Sequence, residues 1–247
     1  MGTKERQDRE RQAVTASILS AARDLFIAEG YQSVSIRKIA ERIEYSPAAI
    51  YSYYASKDDI FLALAAEGFH LLDAKVHAAM TTGDPLENVR GCWWAFYQFS
   101  QEQPAYFQLM FVDQSVPRIT QQWEGFEFLQ QMLTNAVTAI QAAIDAGALP
   151  KTLSPNAAMH MLWASLIGPA IVGIRHRLSS GEDYDALARD VLNATIAGLQ
   201  SGVATTFVSC KCPDPSTLLR VIPSLSRDEE GIAGIPVPAG VRRHESE

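Results

Sequence analysis

Up to residue 203, nearly every segment of this chain repeats its apolar residues at helical spacing, and no alternating run long enough for a strand breaks the series. A chain patterned in this way has to bury helix stripes against helix stripes, so the fold expected is all-α. Val14, Ile18, Ala21, Ala22, Leu25 and Phe26 make one stripe of a first helix, which Gly30 ends. Ser35 caps a short second helix that runs to about Arg42, with Ile36, Ile39 and Ala40 facing inward. Ser46 and Pro47 open a third, because proline at the first helical position loses no hydrogen bond. Ser56 caps a fourth, with Asp58 and Asp59 in its first turn and its end near Met80. Further helices are predicted near 86–102, 104–113, 118–147, 155–179 and 184–202, with Pro169 kinking the fourth of these.

The segment between residues 46 and 59, SPAAIYSYYASKDD, crowds Tyr51, Tyr53 and Tyr54 into four positions. They cannot all face one core. Helix, tight turn and short helix near the N-terminus is also the form of a helix-turn-helix DNA reader. Charge divides to match. Residues 1–60 hold nine Lys/Arg and nine Asp/Glu, whereas residues 61–203 hold seven and thirteen, so the acidity behind the net charge of −7 belongs to the middle of the chain.

The residues add to the form. The stretch ILSAARDLFIAEGYQSVSIRKIAERIEYSPAAIYSYYASKDDIF, Ile18 to Phe61, resembles the N-terminal domain of the TetR family of transcriptional regulators. The AA-x-x-LF of the first helix, the G-Y before the second, the S-I-x-x-IA of the second and the IY-x-Y-Y-x-SK-x-x-[IL]F that follows all occur in register. The resemblance implies that Ser46 to Tyr54 is the recognition helix in the major groove. Ser46 and Pro47 open it, Ala48 and Ala49 approach base edges closely, Tyr51 and Tyr53 lie on the exposed side, and Ile50 and Tyr54 pack inward. Ser35, Arg37 and Lys57 are implied to hold phosphates, with Lys38 and Arg42 as further phosphate contacts. The family commonly carries glycine where this chain has Glu44, so a non-glycine residue is expected at positive φ in the turn.

Three regions follow: a helix-turn-helix domain at 1–55, a helical ligand-binding and dimerisation domain at 56–203, and a flexible tail at 204–247, where five prolines and three glycines interrupt any period. In the second region Tyr184, Leu187, Ala188, Val191, Leu192, Thr195, Ile196 and Leu199 form a near-heptad stripe, which either seals an intrachain core or pairs with 155–179 in a homodimer interface. Aromatic and sulfur-bearing side chains concentrate there too. Trp93, Trp94, Tyr97, Phe107, Met110, Phe111, Trp123, Phe126 and Trp163 are the candidates for an apolar ligand pocket or for core, and His160 is the candidate polar contact. QEQPAYFQLMF and LWASLIG resemble the WHG-type subgroup of TetR C-terminal domains, except that Ile167 stands where that subgroup has histidine.

No nucleophile elbow, HExxH, phosphate-cradling loop or carboxylate pair beside a histidine appears, so an enzyme is not expected and no catalytic residue, metal or cofactor is assigned. Cys210-Lys211-Cys212 lacks a second ligand pair nearby. The apolar run Leu162 to Ile174 is shorter than a bilayer span and contains Gly168 and Pro169, and no signal sequence is read at the N-terminus, which places the protein in the cytoplasm. The resemblance implies a dimeric repressor released from a pseudo-palindromic operator in double-stranded DNA by a small apolar or amphipathic effector. The rival reading is a helical adaptor that has lost DNA binding.

Overall fold

A computed structural model describes residues 3–81, 83–113, 126–174 and 181–202. Among these residues the chain is helical throughout, with no strands. Helix α1 (Thr3–Glu29), a 3₁₀ turn (Tyr31–Ser33), α2 (Ile36–Arg42) and α3 (Pro47–Tyr51) come first. Then follow α4 (Lys57–Ala79), α5 (Pro85–Glu102), α6 (Pro104–Phe107) with a π-helical turn (Gln108–Val112), α7 (Phe126–Asp145), α8 (Pro155–Ile174) and α9 (Tyr184–Gln200).

The expected caps are in place. Ser35 accepts from the Lys38 N–H, Ser46 from Ala49 and Ser56 from Asp59, so each short helix begins where its side chain satisfies an orphan donor. Gly30 ends α1 at φ 80°, a left-handed conformation that glycine adopts without Cβ strain. Helix α1 begins far earlier than its apolar stripe. Residues 4–13 are exposed, and the Arg6–Glu10 pair at 2.8 Å is of the i,i+4 kind that supports a solvated helix.

The N-terminal core is small and closed. Ile18, Ala22 and Phe26 of α1 meet Ile39 and Ala40 of α2, Ile50 of α3, and Ile60, Phe61 and Leu64 of α4, all fully buried or nearly so. Tyr31 stacks between Phe26 and Phe61 at centroid distances of 5.1 and 5.8 Å, and its hydroxyl donates to Asp58. Helix α4 belongs to both halves of the molecule, since its first turns close this core and its later turns pack on α5.

The C-terminal half packs α5 between α4, α7, α8 and α9. Gly91 lets α5 cross the end of α4 closely, because a Cβ there would lie 2.7 Å from the Ala79 carbonyl oxygen. Helix α8, with Pro169 inside it, extends the apolar run noted in the sequence. Its 20 residues and mean hydropathy of 1.6 are long and apolar enough to cross a membrane by length and composition. Here it is a core helix instead: Ala157, Leu162, Leu166 and Ala170 are sealed against the rest of the domain. The α9 stripe divides. Ala188, Leu192, Ile196 and Leu199 are buried within the chain, while Leu187 is 37% exposed and Val191 and Thr195 are half-buried. The expectations for residues 118–125, for the end of the helix at 155–179, for Cys210 and Cys212, and for the tail at 204–247 lie outside the described residues.

Candidate DNA reader and effector cavity

The helix-turn-helix presents α3 on the protein surface. Ala48 and Tyr51 are exposed, Tyr51 to 56%, while Ile50 points into the core. The tyrosine cluster therefore splits, though not quite as the sequence suggested. Tyr54 is half-buried, and Tyr53, expected on the exposed side, is half-buried too with the Arg11 guanidinium 5.1 Å over its ring. That cation–π contact ties the N-terminal half of α1 to the turn that follows α3. The turn between α2 and α3 carries Glu44 at φ 59°, the positive-φ non-glycine residue that the sequence led one to expect. Beside it Tyr45 is 44% exposed.

The implied phosphate contacts differ in availability. Ser35 is exposed at the start of α2 with Arg37 and Lys38 one turn in. The Arg37 guanidinium is 81% exposed and donates to Glu41 across 2.8 Å, a pair of little net energy at such exposure that a phosphate can replace. Its pKa is raised by that same hydrogen bond, so its charge is secure. Lys38 bonds Glu29 and the Ser33 carbonyl, at 3.2 Å in the second case. Lys57 is turned inward. Its Nζ donates to the carbonyls of Tyr31 at 2.8 Å and Val34 at 3.0 Å and sits 4.1 Å over the Tyr31 ring, so here it fastens α4 to the turn before α2.

The second feature is a cavity of about 80 Å³ inside the C-terminal half, walled almost wholly by carbon. Trp93, Phe111 and Trp163 from the sequence candidates line it. Trp94, Tyr97, Phe107, Met110 and His160 do not. Trp94 lies under the Arg189 guanidinium at 4.6 Å, the Tyr97 hydroxyl donates to Asp185 across 3.0 Å, and Phe107 fills core between Phe96 and Phe111. Met110 packs on Gly68 of α4, and the His160 Nδ1 lies 2.7 Å from the Asn156 carbonyl. Trp123 and the side chain of Phe126 lie outside the described residues.

Sequence reasoning missed most of the remaining wall. Phe69, Leu72 and Val76 come from α4, Cys92 from α5 beside Phe96 of the aromatic concentration, Leu129, Met132, Leu133 and Ala136 from α7, and Met159 from α8. These residues follow ordinary amphipathic stripes, and periodicity does not separate a core position from one bordering a void. Burial pushes the Cys92 thiol up to about 12, so it stays protonated and behaves as another apolar wall group.

The cavity also touches the route to the DNA reader. Phe111 sits in the π-helical turn that continues α6, and the Tyr106 hydroxyl of α6 accepts from the Arg23 guanidinium of α1 across 3.3 Å. A Cβ on Gly68 would collide with the Met110 sulfur and approach Tyr106 to 3.1 Å, so α4 and α6 interlock at this glycine.

Comparison with known proteins bears on the N-terminal half first. Residues 18–64 match the family described as "Bacterial regulatory proteins, tetR family". Over these residues the chain is similar to the tetR-family regulatory domain. The match runs into α4, as far as Leu64, the last α4 residue named in the N-terminal core. Over 195 residues, 76% of this chain and 91% of the relative, the chain is 25% identical to the uncharacterized HTH-type transcriptional regulator YdeS of Bacillus subtilis. Two solved structures share the fold over about three quarters of this chain. A tetR-family regulatory protein from Rhodococcus RHA1 is 21% identical with a TM-score of 0.59, over 75% of this chain and 96% of that one. The transcriptional regulator FadR from Bacillus subtilis, solved with stearoyl-CoA, is 15% identical with a TM-score of 0.58, over 76% and 99%.

Proposed function

We propose that this chain is a ligand-responsive, dimeric DNA-binding transcriptional regulator. In this reading it is a cytoplasmic repressor that a small apolar or amphipathic molecule releases from a pseudo-palindromic operator. The observation that carries the reading is the exposed face of α3 in a tetR-type domain, with Ala48 and Tyr51 outward and Ser35 and Arg37 at the neighbouring helix start. That arrangement suits groove entry flanked by phosphate contacts. The likeness of QEQPAYFQLMF and LWASLIG to the WHG subgroup belongs to the same reading, with Ile167 half-buried in place of histidine.

Dimerisation through α8 and α9 is supported by what those helices leave outside. Ala164 and Gly168 of α8 are exposed, and so is Leu187 of α9. A Cβ on Gly168 or on Gly198 would meet nothing within 4 Å, so packing within the protomer does not require either glycine. Glycine inside a helix costs about 1 kcal/mol relative to alanine. Close approach of a second copy supplies a reason for it.

The buried cavity, bordered by α4 and by the turn that follows α6, supports effector control. A ligand that enlarges it would shift elements tied to α1 and α4, and so the spacing of two recognition helices, provided it favours one dimer geometry. The test is selection of bound sequences from random duplexes by the full chain, followed by a salt titration on the winner. The expected result is a pseudo-palindrome with half-sites about one helical turn apart and an affinity that falls steeply with salt. No enriched sequence, with weak binding at every salt concentration, would replace this reading with the adaptor.

A further inference from the structure

Beside the buried cavity lies a second hollow of about 350 Å³ between the C-terminal half of α4, the start of α5 and α7. Val76, Met132 and Ala136 border both spaces, so the two adjoin across these side chains on the line from the aromatic interior to the surface. The chemistry changes along it. Inside, the walls are hydrocarbon, aromatic rings and sulfur. At the mouth stand Asp73, His77, Asn88, Asn135 and Thr138. The Asp73 carboxylate and the His77 Nδ1 lie 3.1 Å apart.

Among the described residues no lysine or arginine lines the mouth. Lys75, adjacent to Val76 in sequence, is held by Glu102 at 2.9 Å, and Arg90, two residues beyond Asn88, is held by Glu87 at 3.1 Å and by Asn193. A phosphate or carboxylate placed there would meet the Asp73 carboxylate, with the His77 ring as its neighbour. A hydroxyl or ammonium group would find an acceptor.

We propose that these adjoining spaces bind an amphiphile whose hydrocarbon tail enters the inner cavity and whose head, a hydroxyl or ammonium donor, is held at the mouth by Asp73 and its polar neighbours. The inference rests on the effector reading above and narrows it. It sets this site apart from the acyl-CoA class that the Bacillus FadR structure contains.

The experiment follows tryptophan fluorescence of the full chain, since Trp93 and Trp163 stand in the wall. The probes share a ten-carbon tail: decan-1-ol, decyltrimethylammonium, decanoate and decanoyl-CoA. The alcohol and the ammonium are expected to saturate the signal at concentrations about tenfold or more below the other two. Asp73→Asn should weaken the ammonium by about tenfold and leave the alcohol within about threefold. Ala136→Phe, at the half-buried neck, should abolish both responses, with circular dichroism reporting whether the variant is folded.

Equal or tighter binding of decanoate or decanoyl-CoA would overturn the proposal. So would an Asp73→Asn variant that binds all four probes as the parent does, or silence towards every probe. Operator selection that succeeds while every probe fails removes this site and leaves the regulator; probe binding without operator selection does the reverse.

Discussion

The two halves of the molecule are built from the same kind of helix and pack differently. In the helix-turn-helix, Ile18, Ala22, Phe26, Ile39, Ile50 and Ile60 are each 0–1% exposed and belong to one packed core. In the C-terminal half, side chains of comparable burial, among them Trp93, Phe96, Phe111 and Met159, surround an unfilled volume. The difference separates a part whose proposed role in reading DNA asks for one shape from a part that has space for something else. An empty apolar void forfeits dispersion contacts along its lining, so a fold keeps one at a cost that a ligand can recover.

Truncation is the strongest way to break the contrast. Phe26→Ala should destabilise the N-terminal half by about 3–5 kcal/mol, the usual loss for a fully buried ring. Phe111→Ala, beside space that already exists, should cost about 2 kcal/mol, near the lower end of core truncations. Denaturant unfolding of both variants measures this, and equal losses would mean that the void is not a distinct feature of the second half. Filling comes next. Ala22→Leu should cost about 1–3 kcal/mol by overpacking, whereas Leu133→Phe at the cavity wall should be neutral or stabilising by up to about 1 kcal/mol. A destabilising Leu133→Phe would show that the wall cannot accept a larger group.

Smaller effects sharpen the comparison. Glu44→Gly should stabilise the turn by about 1 kcal/mol, by removing the strain of a side chain at φ 59°. No change in Tm would place that strain elsewhere. Each half also sets a tyrosine hydroxyl on a carboxylate, Tyr31 on Asp58 and Tyr97 on Asp185. Burial first, then the acceptor carboxylate, raises both pKa values above the ordinary 10. A raised pKa favours the neutral phenol in the folded state, so this stabilisation is complete below pH 10 and is lost as pH rises above it. Tyr97→Phe and Tyr31→Phe should each flatten the alkaline fall in stability, and an unchanged alkaline limb would contradict the assignment.

Much of the fold was legible because its signals are local. Ser35, Ser46–Pro47, Ser56 and Asp84–Pro85 each start a helix through their own hydrogen bonds or ring geometry, and Gly30 stops one. The strained position of Glu44 was legible through the resemblance to a family that prefers glycine there. What escaped was set by distant partners. Tyr53 is covered because α1 begins at Thr3 and brings Arg11 across it, and residues 3–13 carry no apolar period to announce a helix. Lys57 turns inward because two carbonyls at the end of the Tyr31 turn need a donor. The cavity wall escaped for the same reason: Phe69, Leu129 and Met132 read as core, and only the relative placement of α4, α5 and α7 leaves space between them.

The claim at the centre is that the outward face of α3 reads bases while its surroundings hold phosphates. The most direct test compares the full chain and its Tyr51→Ala variant, by fluorescence anisotropy, on the selected duplex and on a scrambled one over a range of salt. The account predicts a loss of about 1–3 kcal/mol on the selected duplex, little change on the scrambled one, and an unaltered salt slope. An equal loss on both duplexes would contradict it.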